Sequence, residues 1–279
     1  MMIVNMNFER FRFQNKVENY LGCSDLTKWN SYLHHFKEFE ITDENIEELK
    51  ICLHQDGIDN LYKGLYSISN GLFNIYNGYY SWSIVKFYYS IFYLIRSYFS
   101  ANNIGFLKNK GIYTLSLNLG DKPIRRDQGS YRNERLSGDH KTTISTHIKE
   151  FGSQDILLSN NIGELTIYDW LMEIRNQVNY RERAFNEPQF KYFPVDFFKK
   201  DIMMENIDLY LKDDDLVYCF NEDHAAVAAP IKVLQQVCKF YYENTSIRLS
   251  EERIYVIEKM LKPMNLHLLT GFKEILNPT

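Results

Sequence analysis

Arginine, asparagine and tyrosine side chains are grouped in residues 170–183, which include Arg175-Asn176 and Tyr180-Arg181. A guanidinium presents a planar fork of N–H donors that matches carboxylate or phosphate. The asparagine amide and the tyrosine hydroxyl add single donors beside it. This set of donors predicts a site for an anion or for a paired subunit.

An amphipathic helix is the element that must position these donors. The apolar residues that recur at the helical steps of three and four are Ile167, Leu171, Ile174 and Val178. At 100° per residue, Arg175, Asn179 and Glu182 share one polar face. The neighbouring polar face carries Asn176, Tyr180 and Arg183. The pattern therefore predicts a helix that displays Arg175 on its polar surface.

The bulk composition limits the class of protein. The chain has 279 residues and a net charge of −4, so nucleic acid would have to bind at a local basic patch. Hydrophobic residues make up 45% of the chain, enough for a real core. The first residues lack the basic and apolar regions of a signal peptide. Four scattered cysteines without C-x-x-C spacing predict thiols in a reducing cytoplasm, with no metal and no cofactor.

Helical periodicity covers most of the chain and predicts an all-α fold with room for one short β-hairpin. The expected helices span 25–39, 58–76, 79–100, 142–151, 164–185, 224–244, 250–261 and 266–276, with a further start at 42–45. Residues 79–100 are apolar or aromatic nearly all round, which is typical of a central buried helix. Lys86, Arg96 and several serines in that stretch argue against a membrane span. Alternation at 112–117 predicts one strand.

A basic segment, residues 108–149, carries nine Lys or Arg against four Asp or Glu. Its candidate nucleic-acid contacts are Arg125, Arg126, Arg132, Arg135 and Lys141. A flexible loop is the alternative interpretation, since 120–138 is polar and rich in glycine. His140 stands where the segment meets a predicted helix, and its imidazole titrates near neutral pH. His140 is therefore a candidate proton carrier. The alternative interpretation is that His140 is only a solvent-exposed residue beside a simple helix cap.

Acidic residues dominate 196–223, which contains nine Asp or Glu and only three lysines. The run Asp213-Asp214-Asp215 lacks the glycine and the terminal glutamate of an EF-hand loop. We expect a solvated turn there rather than a cation site.

Three pieces of the chain, in this order, resemble HEPN-domain proteins. Residues 82–97, with Tyr88-Tyr89 and Arg96, are similar to the long aromatic helix of that family. Asp139-His140-Lys141 resembles the start of the next helix, and Arg175-Asn176 resembles the family's arginine helix. The likeness covers 58–188, which leaves 1–57 as an N-terminal helical extension and 189–279 as a C-terminal helical region.

The resemblance implies an antiparallel helical bundle that dimerises through the arginine helix. Active members are metal-independent endoribonucleases of prokaryotic toxin, abortive-infection and antiviral systems. Their signature continues with a histidine that four to six residues separate from the arginine, at the positions where this chain has Tyr180, Arg181 and Glu182. Histidine, with a pKa of about 6.5, both accepts and donates protons near neutral pH, whereas tyrosine titrates at about 10.

Three hypotheses follow for Arg175. In the first, Arg175 and Asn176 contact the phosphate of RNA, Tyr180 stacks on a base or donates a proton, and His140 is the reserve acid–base. Arg181 and Arg183 add nucleic-acid contacts in this hypothesis. The second is a non-catalytic homodimer or subunit of a larger complex that uses the helix as a partner surface. In the third, Arg175 only pairs with a carboxylate of the bundle, such as Glu173 or Glu182.

Overall fold

Helices dominate the fold, as expected, and a small antiparallel sheet accompanies them. A computed structural model describes residues 10–23, 31–185, 187, 191–197 and 199–278. The α-helices are α1 (Arg12–Tyr20), α2 (Leu33–Glu38), α3 (Ile46–Tyr76), α4 (Tyr80–Ala101), α5 (Asp139–Phe151), α6 (Ile167–Asn176), α7 (Lys200–Lys212), α8 (Glu222–Asn244), α9 (Glu251–Leu261) and α10 (Thr270–Leu276). The strands are β1 (Ile104–Lys108), β2 (Ile112–Ser116), β3 (Ile124–Arg125), β4 (Ser130–Tyr131) and β5 (Glu134–Arg135).

The described chain divides into two compact units. The first unit comprises Met1–Gly57 and Phe99–Thr142, and the second comprises Ile58–Tyr98 and Thr143–Thr279. Helices α3, α4 and α5 supply residues to both units. The division predicted from the sequence, 1–57, 58–188 and 189–279, follows chain order, whereas the two units interleave along the chain. Only the boundary after residue 57 is common to both divisions.

The first unit packs α1 and α2 against a sheet in the order β1-β2-β3. Asp56 fixes the start of α1, because its carboxylate accepts the backbone N–H groups of Arg12 at 2.9 Å and Phe13 at 2.8 Å. Phe13 lies on β1 so closely that a Cβ at Gly105 would be 2.0 Å from the ring. Glycine is therefore required at this position of the strand.

The strands exceed the single hairpin that the sequence predicts. β3 extends the β1–β2 hairpin to three strands, and β4 pairs with β5 in a separate two-stranded ribbon. The ribbon turns at Arg132 (φ 52°) and Asn133 (φ 61°), the two positive φ angles that a type I′ turn needs. Arginine is uncommon at such an angle, so the sequence carried only a weak hairpin signal there.

The second unit is arranged around α4, which confirms the buried helix predicted at 79–100. Phe87, Tyr88 and Leu94 have no exposed surface. α3 approaches α4 closely, because a Cβ on Gly71 would lie 2.7 Å from the Phe87 ring. In the described part of the chain, no helix has both the length and the apolar character that crossing a membrane requires.

Several predicted helix boundaries are wrong. α3 runs unbroken from Ile46, and so joins the helix expected to open at 42–45 to the one expected at 58–76. α7 lies inside the acidic segment, where no helix was predicted. Of the helix predicted at 25–39, residues 25–30 lie outside the described residues, and the helical part begins at Leu33. The helix predicted at 164–185 ends at Asn176 and continues as a π-helical turn, Gln177–Arg181.

Candidate functional site

Local hydrogen bonds and apolar burial fix α6 in the second unit. The Thr166 hydroxyl oxygen accepts the backbone N–H of Asp169 at 3.2 Å, and the hydroxyl donates to the Asp169 carboxylate at 2.8 Å. Such a cap satisfies a donor that the first turn of a helix leaves without a partner. The predicted apolar stripe is buried, with Ile167 and Leu171 at 1% exposure or less.

Arg175 is buried, and the prediction that α6 displays it on a polar surface is wrong. Only 8% of the residue is exposed. Arg175 lies about 40° around the helix from Leu171, four residues earlier. Tyr168, two turns before Arg175 on the same side, is 2% exposed. The buried face of α6 is therefore wider than its aliphatic stripe, because it includes aromatic side chains.

Two tyrosine rings contact the buried guanidinium. Its carbon lies 4.3 Å from the ring centroid of Tyr88 on α4 and 5.5 Å from that of Tyr180 in the π-helical turn. Tyr88 is fully buried, whereas Tyr180 is 68% exposed. Burial raises the pKa of Tyr88 to about 12, against the opposing hydrogen bond and charge of Arg175. Tyr88 is thus a neutral phenol at neutral pH and does not compensate the cation with a charge.

No carboxylate pairs with Arg175 among the residues that the structure describes, and its Nε has no hydrogen-bond partner there. The two glutamates proposed as partners pair elsewhere. Glu173 accepts a hydrogen bond from Arg181, and Glu182 lies 3.0 Å from Lys191 Nζ. The third hypothesis, a simple ion pair with a carboxylate of the bundle, is therefore wrong for these two glutamates.

Exposed aromatic side chains accompany this site. Trp82 on α4 and Phe185 after the π-helical turn are about half exposed, and their ring centroids lie 5.6 Å apart. Glu187 ties the same segment to the start of α4, since its carboxylate accepts the Ser81 backbone N–H at 2.8 Å and the Ser81 hydroxyl at 2.7 Å. Asn176 is half-buried next to Arg175 on the chain. Tyr180, Trp82 and Phe185 together give the second unit an exposed aromatic surface.

Most cations of the basic segment have partners in the first unit. Arg125 lies 2.8 Å from the Asp127 carboxylate, and Lys141 pairs with Glu134. Arg126 donates to the Thr114 hydroxyl at 2.7 Å. These contacts reduce the positive charge that the segment offers to a polyanion, because acidic residues of the segment already pair with its own cations.

The remaining candidates from the sequence are divided between the two units. Arg132 and Arg135 are exposed on the β4–β5 ribbon of the first unit, and Arg183 is exposed in the second unit. His140 is the second residue of α5, half-buried, and belongs to the first unit. The structure brings Arg175 and Tyr180 together, with Tyr88 as a contact that the sequence did not identify.

A second polar cluster, His147–Asp155–Tyr168, was missed from the sequence. Asp155 accepts hydrogen bonds from His147 Nε2 at 2.9 Å, from the Leu157 backbone N–H at 2.9 Å and from the Tyr168 hydroxyl. Burial alone would raise the pKa of Asp155, but these hydrogen bonds and the His147 charge outweigh it and lower the pKa. Burial and the Asp155 carboxylate raise the pKa of Tyr168. The sequence shows only the turn-forming Asp155; no spacing motif links the three side chains.

The described residues contain no cluster of His, Cys, Asp or Glu that would hold a metal ion. In the acidic run, Asp213 accepts the backbone N–H groups of Val217 at 3.1 Å and Tyr218 at 2.9 Å, so it caps a turn. No family model, curated protein or solved structure matches this chain.

Proposed function

We propose that this chain is a HEPN-like RNA-binding protein of a prokaryotic antiviral defence or toxin-type system, built as an antiparallel helical bundle. Arg175 carries the proposal: it is a buried cation with aromatic contacts and no carboxylate partner in the described chain. Its position in the Arg175-Asn176 pair is the one where the resemblance implies contact with RNA.

A buried guanidinium needs more compensation than two rings provide. Cation–π contacts contribute about 0.5–2 kcal/mol, whereas a buried polar group without a partner costs about 1–3 kcal/mol, and a charged one costs more. A phosphate would supply charge and two acceptor oxygens for the planar fork. The energetics of Arg175 thus favour an anionic ligand.

The exposed tyrosine beside the cation favours RNA over a free phosphate. Tyr180 presents its ring to solvent and lies next to the guanidinium. Proteins that bind single-stranded RNA stack bases on such rings while cations hold the adjacent phosphates. Asn176 has amide donors on the same turn, and Arg183 adds an exposed positive charge.

The chemistry around Arg175 favours binding rather than cleavage. The two side chains that contact the guanidinium are phenols, and burial places the pKa of Tyr88 at about 12. Tyr88 with this raised pKa does not serve as the proton acceptor near neutral pH that in-line attack by a 2′-hydroxyl requires. Cleavage would need another proton carrier, for which His140 of the first unit is the proposed candidate.

The experiment is a fluorescence anisotropy titration with a labelled single-stranded RNA of mixed sequence. Tyr180→Ala should raise Kd about 5- to 150-fold, because one stacked base contributes about 1–3 kcal/mol. Tyr255→Ala is the matched control, since Tyr255 is 65% exposed and Tyr180 is 68% exposed. Equal affinities for the two variants and the parent would reject the proposed site. The same RNA, analysed on a denaturing gel, reports any cleavage.

The second candidate function is a non-catalytic subunit that uses the same region as a homodimer or partner surface. The exposed Trp82–Phe185 pair favours it, because aromatic residues are enriched where proteins meet. RNA binding that is absent from the parent protein, together with a stable dimer in sedimentation, would favour this function over the first.

A further inference from the structure

A cavity of about 230 Å³ in the second unit has no role in the proposed RNA contact. Three aromatic residues (Tyr98, Phe151 and Phe240) and two glutamines (Gln154 and Gln236) line it, together with the His147–Asp155–Tyr168 cluster. We propose that this cavity binds one small, neutral aromatic heterocycle of the adenine type. This inference is independent of the proposed RNA-binding function.

Aromatic side chains form much of the wall of the cavity, and their rings pack against one another. The ring centroid of Tyr98 lies 5.0 Å from that of Phe151 and 4.7 Å from that of Phe240. Ile95, Val233 and Val237 supply further apolar surface. The volume equals roughly eight water molecules at about 30 Å³ each, which suits one fused ring system rather than a whole nucleotide.

The charge of the cluster favours a neutral ligand. Asp155 already accepts hydrogen bonds from His147, Tyr168 and the Leu157 backbone. A carboxylate that is satisfied in this way has little capacity left for a cationic ligand.

Two glutamines supply further polar groups to the wall of the cavity. Gln154 is exposed and Gln236 is half-buried, and neither side-chain amide has a hydrogen-bond partner among the described residues. A glutamine amide donates and accepts side by side, which is the pattern that pairs with adjacent donor and acceptor groups of adenine. Apolar walls with a few convergent polar groups are the usual make-up of a small-molecule site.

Isothermal titration of the intact protein with adenine tests the inference. Adenine should bind, and indole, of similar size but without ring-edge acceptors, should bind at least about tenfold more weakly. Gln236→Ala should weaken adenine about 2- to 13-fold, the equivalent of one hydrogen bond of about 0.5–1.5 kcal/mol. Lys239→Ala, an exposed change on the same helix, is the control and should leave Kd unchanged. No binding of adenine at about 1 mM, or equal binding of indole, would overturn the proposal.

Two further measurements identify whether the bound heterocycle is a free base or a base of RNA, and separate the cavity proposal from the proposed RNA contact at Arg175. Adenosine and an oligoadenylate are added to the adenine complex: displacement by the oligonucleotide would assign the cavity to a base of RNA, and no displacement would assign it to a free base. Tyr180→Ala should leave adenine binding unchanged. Loss of adenine binding in that variant would overturn the cavity as a separate site.

Discussion

The two ends of α6 bury charge in opposite ways. Near its start, Tyr168 joins His147 around Asp155, a carboxylate that three donors satisfy. Near its end, Arg175 has two tyrosine rings and no carboxylate in the described chain. Seven residues, about 10 Å of helix, separate Tyr168 from Arg175 on one side of α6.

The difference distinguishes a group that stabilises the fold from a group that awaits a ligand. A buried carboxylate that accepts three hydrogen bonds holds the neighbouring elements in one arrangement, here α5, α6 and the turn at Asp155. A buried cation without a counter-charge costs stability, and such costs are concentrated at functional sites. On this comparison Arg175 belongs to the binding machinery and Asp155 to the framework.

The largest effect should follow from Asp155→Ala. The change leaves the Tyr168 hydroxyl and the His147 ring without their acceptor, and loss of one partner of a buried pair costs about 3–5 kcal/mol. Chemical denaturation measures the loss of unfolding free energy. Asp208→Ala is the control, because its i,i+4 pair with Lys212 lies at the surface and contributes about 0.3–0.5 kcal/mol. Similar losses for both variants would show that the cluster does not stabilise the fold.

The acid dependence checks the cause of that loss. The folded pKa of Asp155 lies below its ordinary value of 3.8. A lowered pKa adds stability at pH above 3.8, and this stability is lost as pH falls through the folded pKa. The penalty of Asp155→Ala should therefore be full near neutral pH and shrink in acid. A penalty that is constant down to pH of about 2 would contradict the electrostatic explanation.

A smaller effect, of opposite sign, should follow from Arg175→Met. The change removes an uncompensated cation, a gain of about 1–3 kcal/mol, and loses ring contacts of about 0.5–2 kcal/mol. The expected net result is a free energy of unfolding higher by about 1 kcal/mol. Arg253 is the matched control: its guanidinium carbon lies 4.8 Å from the Tyr62 ring, and it also pairs with Asp59 at 2.5 Å.

Arg253→Met should lower the free energy of unfolding by about 0.5–1 kcal/mol, because it removes a paired rather than an unpaired cation. Denaturant titrations of the two variants measure both changes. If both variants lose stability to the same extent, the ring contacts alone satisfy Arg175 and the site has no need of an anion.

Local sequence patterns predicted the framework of α6 but not its chemistry. The apolar steps at Ile167, Leu171 and Ile174 predict the buried face, and these side chains are at 3% exposure or less in the structure. α4 begins and ends within one residue of its predicted bounds. Such features depend on residues that are close together in the chain, and a single sequence is therefore sufficient to predict them.

The contacts that give α6 its chemistry depend on residues far away in the sequence. Tyr88 buries Arg175 from another helix, and periodicity in α6 carries no information about that ring. Asp155 meets Tyr168 through the packing of a turn against α6, with no motif at this spacing. The π-helical turn also moves Tyr180 off the 100° wheel, so a helical projection beyond Asn176 places side chains wrongly.

A stabilisation by sulfate should also depend on Arg175. Sulfate resembles a phosphate group, and an anion that binds the folded state alone adds RT ln(1 + [L]/Kd), about 1.4 kcal/mol at ten times Kd. For a chain of this size, that corresponds to a rise in Tm of roughly 2–4 °C. Sulfate also stabilises proteins by exclusion from their surface, so the informative quantity is the difference between the parent and Arg175→Met.

Differential scanning fluorimetry in sulfate and in chloride of equal ionic strength measures that difference, and matched ionic strength removes the effect of screening. Arg253→Met should respond as the parent does, since Asp59 already compensates Arg253. A shift confined to proteins that retain Arg175 would show that the end of α6 accepts an anion. Equal Tm shifts in all three proteins would show that Arg175 binds no anion. The two ends of α6 would then be alike, because the fold would already satisfy the buried charge at each end.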